Sequence, residues 1–404
     1  MMKKNNIVFY LSYLFILFPL IPNRIKGLPV IILLVTSIIV FIKNKTKKYP
    51  YKKVLLLSSL YLMYLISLIY TDNLKNIDKV LSTRLSLLVV PIAFGFLYQK
   101  VKEITHKNII SLIKVNSIVT TIYSILILSY LWYLGVFNDA INIESALAYI
   151  TNEMWLINQH PIYASFFIGI SILLTLYYIA HERENKWCVL GVIIMVITLF
   201  VLTRKSVLIA LFFSIVSWFL LYKKRKTIKR YIIAFFAVIM LVFVFSKTVS
   251  GRFYELINKE TYVGLNEENS TSLRYNIYVC SIKSILRSPF LGYGVGDVKQ
   301  ELNKCYNELS IDMVYYNSHN QYISFYLGTG VFGFVLLWFI MLKKIFLAIK
   351  KKKVLLLTLS IFFTVLMLFE NILERQSGVI LFSFYMCLLS FANFKKMKVI
   401  NEER

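Results

Sequence analysis

Charge is scarce in this 404-residue chain. Only 16% of its residues are Asp, Glu, Lys or Arg while 58% are hydrophobic, a balance that excludes a soluble globular domain and a disordered chain alike. Acidic residues are the scarcer sign, 20 against 46 Lys and Arg, and His and Cys occur four times each. No Cys spacing resembles a zinc site, so no metal is expected. Strand-like alternation is missing too, which argues against a β-barrel. No internal repeat is apparent, and matching halves are what a twelve-span carrier would be expected to show.

What the chain does have is apolar length. Twelve runs qualify as membrane-helix candidates, at about 7–22, 28–42, 54–70, 85–98, 109–134, 161–180, 187–203, 206–222, 231–249, 321–342, 354–372 and 376–393. Most can reach the roughly 17 to 25 residues that a span requires; the second and fourth are short. The expectation is an all-α integral membrane protein of about twelve transmembrane helices. The first run follows Lys3 and Lys4 like a signal peptide but lacks a small-residue cleavage site, and reads as a retained anchor.

Basic residues then orient the chain. Well over half of the 46 Lys and Arg fall in alternate connections, beginning with the N-terminus and including 43–53, 223–230 and 343–353. By the positive-inside rule both termini are cytoplasmic. The net charge of +26 is therefore read as a topology signal rather than a nucleic-acid surface. The domain plan is helices over 1–249, a polar outward loop over 250–320, and further helices with a cytoplasmic tail over 321–404.

The loop between spans nine and ten is the one soluble segment large enough for structure of its own. Its middle, Gly264 to Ser272, reads as irregular, Leu273 to Ser288 as a helix stopped by Pro289, and Leu291 to Asp297 as a turn. Asp297 then suits the N-cap of a helix running to about Leu309. Cys280 and Cys305 both lie in this loop, where an oxidising compartment allows a disulfide without requiring one. Cys188 and Cys387 fall in or beside spans, where a thiol acts as a small apolar group. A second outward segment, Phe137 to Gln159, carries Asp139, Glu144 and Glu153 but no Lys or Arg, and reads as a partly helical cover.

Candidate chemistry gathers on the outward side. His319 opens the tenth span among Asn317, Ser318, Asn320 and Gln321, and an imidazole there is either a structural hydrogen-bonding group or a base with a pKa suited to its work. Arg204 and Lys205 sit between spans seven and eight, where the charge rule disfavours them; each is either snorkelling to the interface or clamping a phosphate. Arg274 and Arg287 flank the loop helix about 140° apart around its axis, so both cannot easily address one small site. Arg274 is the preferred candidate, and Arg287 reads equally as a C-terminal cap. His160, just before Pro161, is a second outward imidazole at a helix mouth. Glu370 and Glu374 are further candidates, and Tyr322, with Tyr315, Tyr316 and Tyr326, either stacks on sugar or belongs to an interfacial belt. The Gly292 to Gly296 run reads as a turn rather than a nucleotide loop, since no strand precedes it.

Taken in order, Arg274 in Ser-Leu-Arg-Tyr-Asn-Ile-Tyr, the run Ser288 to Gly296, and Ser318-His319-Asn320-Gln321-Tyr322 leading to Gly328-Thr329-Gly330 resemble the O-antigen ligase and polymerase superfamily. His160-Pro161-Ile162-Tyr163 and Thr203-Arg204-Lys205-Ser206 fit the same pattern, so the resemblance covers roughly 155–335. It implies a metal-independent glycosyltransferase without cofactors, in the bacterial inner membrane with a periplasmic active site. Its donor would be a glycan on undecaprenyl diphosphate and its acceptor lipid A-core or another glycan, as in lipopolysaccharide biosynthesis. By that similarity Arg204 and Arg274 hold the diphosphate and His319 positions or deprotonates the acceptor hydroxyl. Lys205 departs from the small residues often found after this Arg, so which of the two cations faces the site stays open. A surface-polysaccharide polymerase is the alternative, and a lipid-linked sugar flippase or transporter the rival from another class.

Overall fold

The computed structural model describes residues 6–44, 48–75, 77–138, 140–153, 159–182, 186–221, 254, 257–263, 270–308 and 316–392. The expected ninth span, the basic run 223–230, the first part of the long loop and both chain ends lie outside these residues, as do Asp139 and Tyr315.

Among the described residues every regular element is a helix. Six helices are long and apolar enough to cross a membrane: Asn23–Lys43, Tyr51–Tyr70, Ile77–Phe96, His106–Tyr133, Pro161–His181 and Gln321–Lys350. Shorter apolar helices at Ile7–Ile16, Lys186–Val201, Lys205–Leu220, Val354–Leu366 and Gln376–Phe391 coincide with other candidate runs. The two short candidates gain length at their outward ends. The second starts from a 3-10 turn at Asn23, and the fourth reaches back to Ile77, with a local irregularity at Leu85.

Pro161–His181 lies at the centre of the packing. Nearly all of its residues are buried, and its small positions explain how neighbours come so close. A Cβ on Gly169 would stand 2.8 Å from the Phe362 ring and 3.1 Å from Val207, the close approach that small residues permit between membrane helices. Two of its polar positions are bonded within the packing: Thr175 donates to the Ser171 carbonyl at 2.7 Å, and Asn116 donates to the Ser171 hydroxyl at 2.8 Å. On the 331–350 stretch, by contrast, Phe332, Val335, Phe339, Leu342, Phe346 and Ile349 form an exposed apolar stripe at helical spacing, the face such a helix presents to lipid.

Connections assigned to the same side by charge also find each other in space. Among the connections read as cytoplasmic, Asn6 donates to the Lys100 carbonyl (2.8 Å), while Lys344, Lys353 and Lys53 converge on Ser390 and Ala392 at the end of Gln376–Phe391. Cations at a helix C-terminus offset its exposed carbonyls. Among those read as outward, Gln159 donates to Asn23 (3.0 Å), Lys26 to Ser377 (3.1 Å), and the amides of Asp72 and Asn73 donate to Asp297.

That last contact corrects a local expectation. The Asp297 carbonyl does open the helix Val298–Glu308, accepting from Glu301 N at 3.0 Å. Both carboxylate oxygens, however, are engaged by the loop that follows Tyr51–Tyr70, at 2.8 and 2.9 Å. The preceding helix starts at Ser270, inside the stretch expected to be irregular, and ends at Arg287 as Pro289 required. Cys280 and Cys305 form a disulfide with Cα atoms 5.6 Å apart, inside a small core with Ile277, Leu302 and Tyr306.

The bridge closes a chain separation of 25 residues, which the loop-entropy argument values at roughly 3 kcal/mol. Joint replacement Cys280→Ser and Cys305→Ser is expected to lower the unfolding temperature of the purified protein and reduce its activity by loosening the helix that carries Arg274. An unchanged melting curve would show that the small core holds without the bridge.

The tenth candidate run is not one straight helix. Gly330 has φ 66° and ψ −167°, outside the helical region, in the middle of Gln321–Lys350. Tyr322 stacks on Trp338 with ring centroids 4.3 Å apart, and Tyr326 meets Phe334 at 5.4 Å. In a continuous helix the sixteen steps from 322 to 338 would span about 24 Å. The chain therefore reverses at Gly330, and 321–329 folds back as an arm along 331–350. Tyr322 and Phe325 join the main core, while Ile323 and Leu327 pack on the core of the disulfide-linked loop.

The Gly-rich turn is what holds this reversal. Val331 N donates to Phe290 O (3.2 Å) and Tyr293 N to Leu327 O (2.7 Å), replacing backbone bonds lost at the break. Gly292, itself at φ 71°, lies against the carbonyls of Tyr326 and Leu327, where a Cβ would collide. The run is thus a turn, with the docking of the arm as its physical purpose.

Candidate active site

The arm places His319 at its tip. Asn320 caps the helix, its side-chain oxygen accepting from Tyr322 N (3.0 Å) and Ile323 N (3.2 Å). His319 itself is left-handed, with φ 44°, uncommon for a side chain of its size. Asn317 supports that geometry by accepting from His319 N at 3.2 Å.

Glu370 is the residue around which the candidates gather. It follows Val354–Leu366 and its side chain is 14% exposed. Oε1 accepts from Arg274 Nη2 at 2.8 Å and from Ser206 Oγ at 3.4 Å, while Oε2 lies 3.8 Å from His319 Nδ1. That last distance exceeds a hydrogen bond and leaves a charge attraction. Burial, the largest single influence, would raise the Glu370 pKa; His319, Arg274 and Arg204 together outweigh it, and the net shift is downward.

Arg204 is the cation whose charge reaches both Glu370 and His160. It occupies a tight turn, with Thr203 at φ 52°, between Lys186–Val201 and Lys205–Leu221. Lys205 begins the second of these helices and is half-buried. His160 sits close enough to be influenced by Arg204, Arg375, Glu370 and His319. Partial desolvation first, then the two Arg charges, push its pKa down, although the residue keeps an exposed edge. Its Nδ1 accepts from Ile162 N at 3.4 Å, capping Pro161–His181. His160 thus lies within reach of the charges that surround Glu370.

Tyr278, one turn after Arg274, places its hydroxyl 3.5 Å from the His319 carbonyl and 3.4 Å from that of Leu368. It ties the loop helix to both strands of the site. Arg287 is elsewhere: it makes a two-point contact with Glu308 at 3.1 and 2.7 Å, half exposed, bracing the loop hairpin. Tyr322 is also diverted. It is buried, stacked on Trp338, and donates to Thr364 O at 3.3 Å, so it anchors the arm and offers no face to a ligand.

A second polar cluster lies behind the first. Glu374 accepts from Asn371 (3.0 Å), Asn317 (3.3 Å) and Ser324, and faces Arg84 at 4.0 Å. Arg84 is buried against the Tyr64 ring, its guanidinium carbon 4.7 Å from the centroid. Sequence reading missed Arg84, Asn371 and Arg375. The fourth candidate run was drawn from residue 85, one position too late to show an Arg inside a membrane helix, where such a residue is a functional pointer. Among the described residues no three His, Cys, Asp or Glu side chains cluster as metal ligands would.

Residues 190–338 match the family model for O-antigen ligase. Over that segment the chain is similar to the O-antigen ligase family. The match contains Arg204, Lys205, Arg274, the Gly-rich turn and His319; Arg84, His160, Glu370 and Glu374 lie outside it. No curated protein sequence matches the chain. That similarity and the apolar helices together fit a multi-pass membrane protein.

Proposed function

We propose that the protein transfers a glycan from undecaprenyl diphosphate to an acceptor hydroxyl at the outer face of the bacterial inner membrane, as an O-antigen ligase does. The observation that carries this reading is the convergence of Arg274 and His319 on one half-buried carboxylate, Glu370, with the charge of Arg204 near enough to act on it. The outward orientation is supported by the basic connections on the other side and by the Cys280–Cys305 bridge, which suits an oxidising compartment. The full plan is twelve spans, with both termini cytoplasmic and the 250–320 loop periplasmic.

The chemistry needs few groups. Arg204 and Arg274 bind the diphosphate, which makes it a competent leaving group by neutralising charge that grows as it departs. The acceptor oxygen attacks the anomeric carbon, the bond from that carbon to the phosphate oxygen breaks with its electron pair, and the acceptor proton passes to His319. Direct displacement inverts the anomeric configuration. No metal or cofactor enters this scheme, and the acceptor is lipid A-core or another glycan.

Arg274→Ala should cut transfer in membrane vesicles by roughly two to three orders of magnitude, the range typical for loss of a preorganised electrostatic contact, while lipid-linked donor accumulates in cells. Transfer within a few-fold of the native rate would overturn the diphosphate assignment. A deletion strain separates ligase from polymerase: full-length glycan left on the carrier indicates a ligase, and single repeat units on the acceptor indicate a polymerase.

A further inference from the structure

We propose that Glu370 is a positioning residue that couples donor binding to the readiness of His319. The inference rests on the glycosyl-transfer reading above and adds a residue and an order of events to it. Glu370 divides one carboxylate between two partners: Oε1 is held by Arg274 at 2.8 Å, and Oε2 faces His319 Nδ1 at 3.8 Å. A diphosphate that engages Arg274 competes with Oε1 for the same guanidinium, and a phosphate can take that fork with two oxygens. With Arg204 drawn to the same diphosphate, the carboxylate keeps His319 as its charged contact.

The backbone favours a local shift of the side chain over movement of the loop. Gln321 N donates to Met367 O at 2.8 Å, and the Gln321 side-chain oxygen accepts from Leu373 N at 2.7 Å. The loop carrying Glu370 is thus bonded on both sides to the first residue of the arm, two positions from His319. Closing the gap of 3.8 Å to a hydrogen bond of about 2.8 Å needs a change that rotation within the Glu side chain supplies. A carboxylate on Nδ1 fixes the proton there and leaves Nε2 with the lone pair, the arrangement that lets imidazole act as a base. When Nε2 takes the acceptor proton, the resulting imidazolium is balanced by Glu370, and the electron pair of the broken carbon–oxygen bond leaves on the diphosphate.

The order follows from this sharing. Donor bound at Arg274 completes the Glu370–His319 pair, so acceptor deprotonation follows donor arrival. Around the Glu370–His319 pair stand Arg274 and Arg204, which act on Glu370, Tyr278, Tyr316 and His160 beside His319, and Arg375 beside His160, with Glu374 one residue further away through Asn317. Glu370 is the carboxylate in contact, so its removal leaves a cationic surrounding.

The test uses full-length protein in proteoliposomes, with lipid-linked glycan extracted from a deletion strain as donor. Glu370→Gln should lower kcat by about a hundredfold, leave the donor KM unchanged or lower because Arg274 is released, and move the acid limb of the pH profile down by about one unit or more. Glu370→Asp should recover part of kcat. Native kcat in Glu370→Gln, or a low kcat with raised donor KM and an unmoved acid limb, overturns the proposal; the second pattern is that of a merely structural residue. If Glu370→Gln does not accumulate, Glu370→Asp carries the same test through reduced kcat at unchanged donor KM. His319→Asn, assayed in parallel, separates the two levels. Activity in that variant defeats the transfer reading itself, whereas an inactive His319→Asn beside a normal Glu370→Gln defeats only the coupling.

Discussion

His319→Asn is expected to reduce glycan transfer by at least two to four orders of magnitude, the range that a positioned general base contributes, without unfolding the protein. Asn is the informative substitution because position 319 has φ 44°, and Asn tolerates the left-handed region better than other side chains. His319→Ala would add backbone cost to the loss of the imidazole and confuse the two. In the native geometry Asn317 and Tyr278 hold the backbone of this residue, the first at its N–H and the second near its carbonyl. Those contacts do not depend on the ring and should persist. The measurement is initial-rate transfer in vesicles beside a melting curve of the purified protein. Transfer within about threefold of native at an unchanged melting temperature would remove His319 from the chemistry.

Gly330→Ala should have the largest effect on stability. An added Cβ would stand 1.9 Å from the Phe290 carbonyl oxygen and 2.7 Å from the Leu291 carbonyl carbon, at φ 66°. Both contacts are with backbone, so no side chain can swing away. The left-handed strain alone costs on the order of 1 to 3 kcal/mol, and the collision forces the Gly-rich turn off the arm. Loss of the Val331–Phe290 and Tyr293–Leu327 bonds would follow, and with them the position of His319. Gly328→Ala is the matched control: its nearest contacts would be 3.5 Å to the Val298 side chain and 3.8 Å to Val295, ordinary van der Waals separations. A Gly330→Ala protein with native melting and native transfer would show that the reversal at this residue is dispensable.

These two residues differ in how far the sequence revealed them. His319, Arg274 and Arg204 were legible because a polar or charged side chain at the mouth of an apolar run stands out against its surroundings. The separation of Arg274 from Arg287 was legible too, since helical geometry alone places them on different faces, and they end on Glu370 and Glu308. The reversal at Gly330 was hidden. Residues 321–342 form one apolar run, and composition cannot distinguish a helix that continues from one that folds back on itself. Gly328 to Gly330 were visible only as a family pattern, with no physical role attached.

Tertiary pairing hid the remainder. Asp297 fits an N-cap by every local rule, yet its carboxylate serves two amides more than 220 residues away in the chain. Glu370 and Glu374 were noticed as acids near a helix end, but their standing depends on which cations arrive, and that is a property of packing. Arg84 was lost through a boundary drawn one residue late. The Cys280–Cys305 bridge was allowed by compartment and left open, because spacing does not determine pairing.

The folded-back arm also works as a ruler. Nine helical residues between the Gly330 bend and the Asn320 cap fix a distance of about 13 Å, and the His319 imidazole sits at the far mark. Lengthening the arm by one turn would carry His319 about 5 Å past Glu370, even though every residue of the site remained in place. On the proposed reaction, a lipid-borne donor and its acceptor would meet at one set depth, measured from the bend rather than from the mobile headgroups around it.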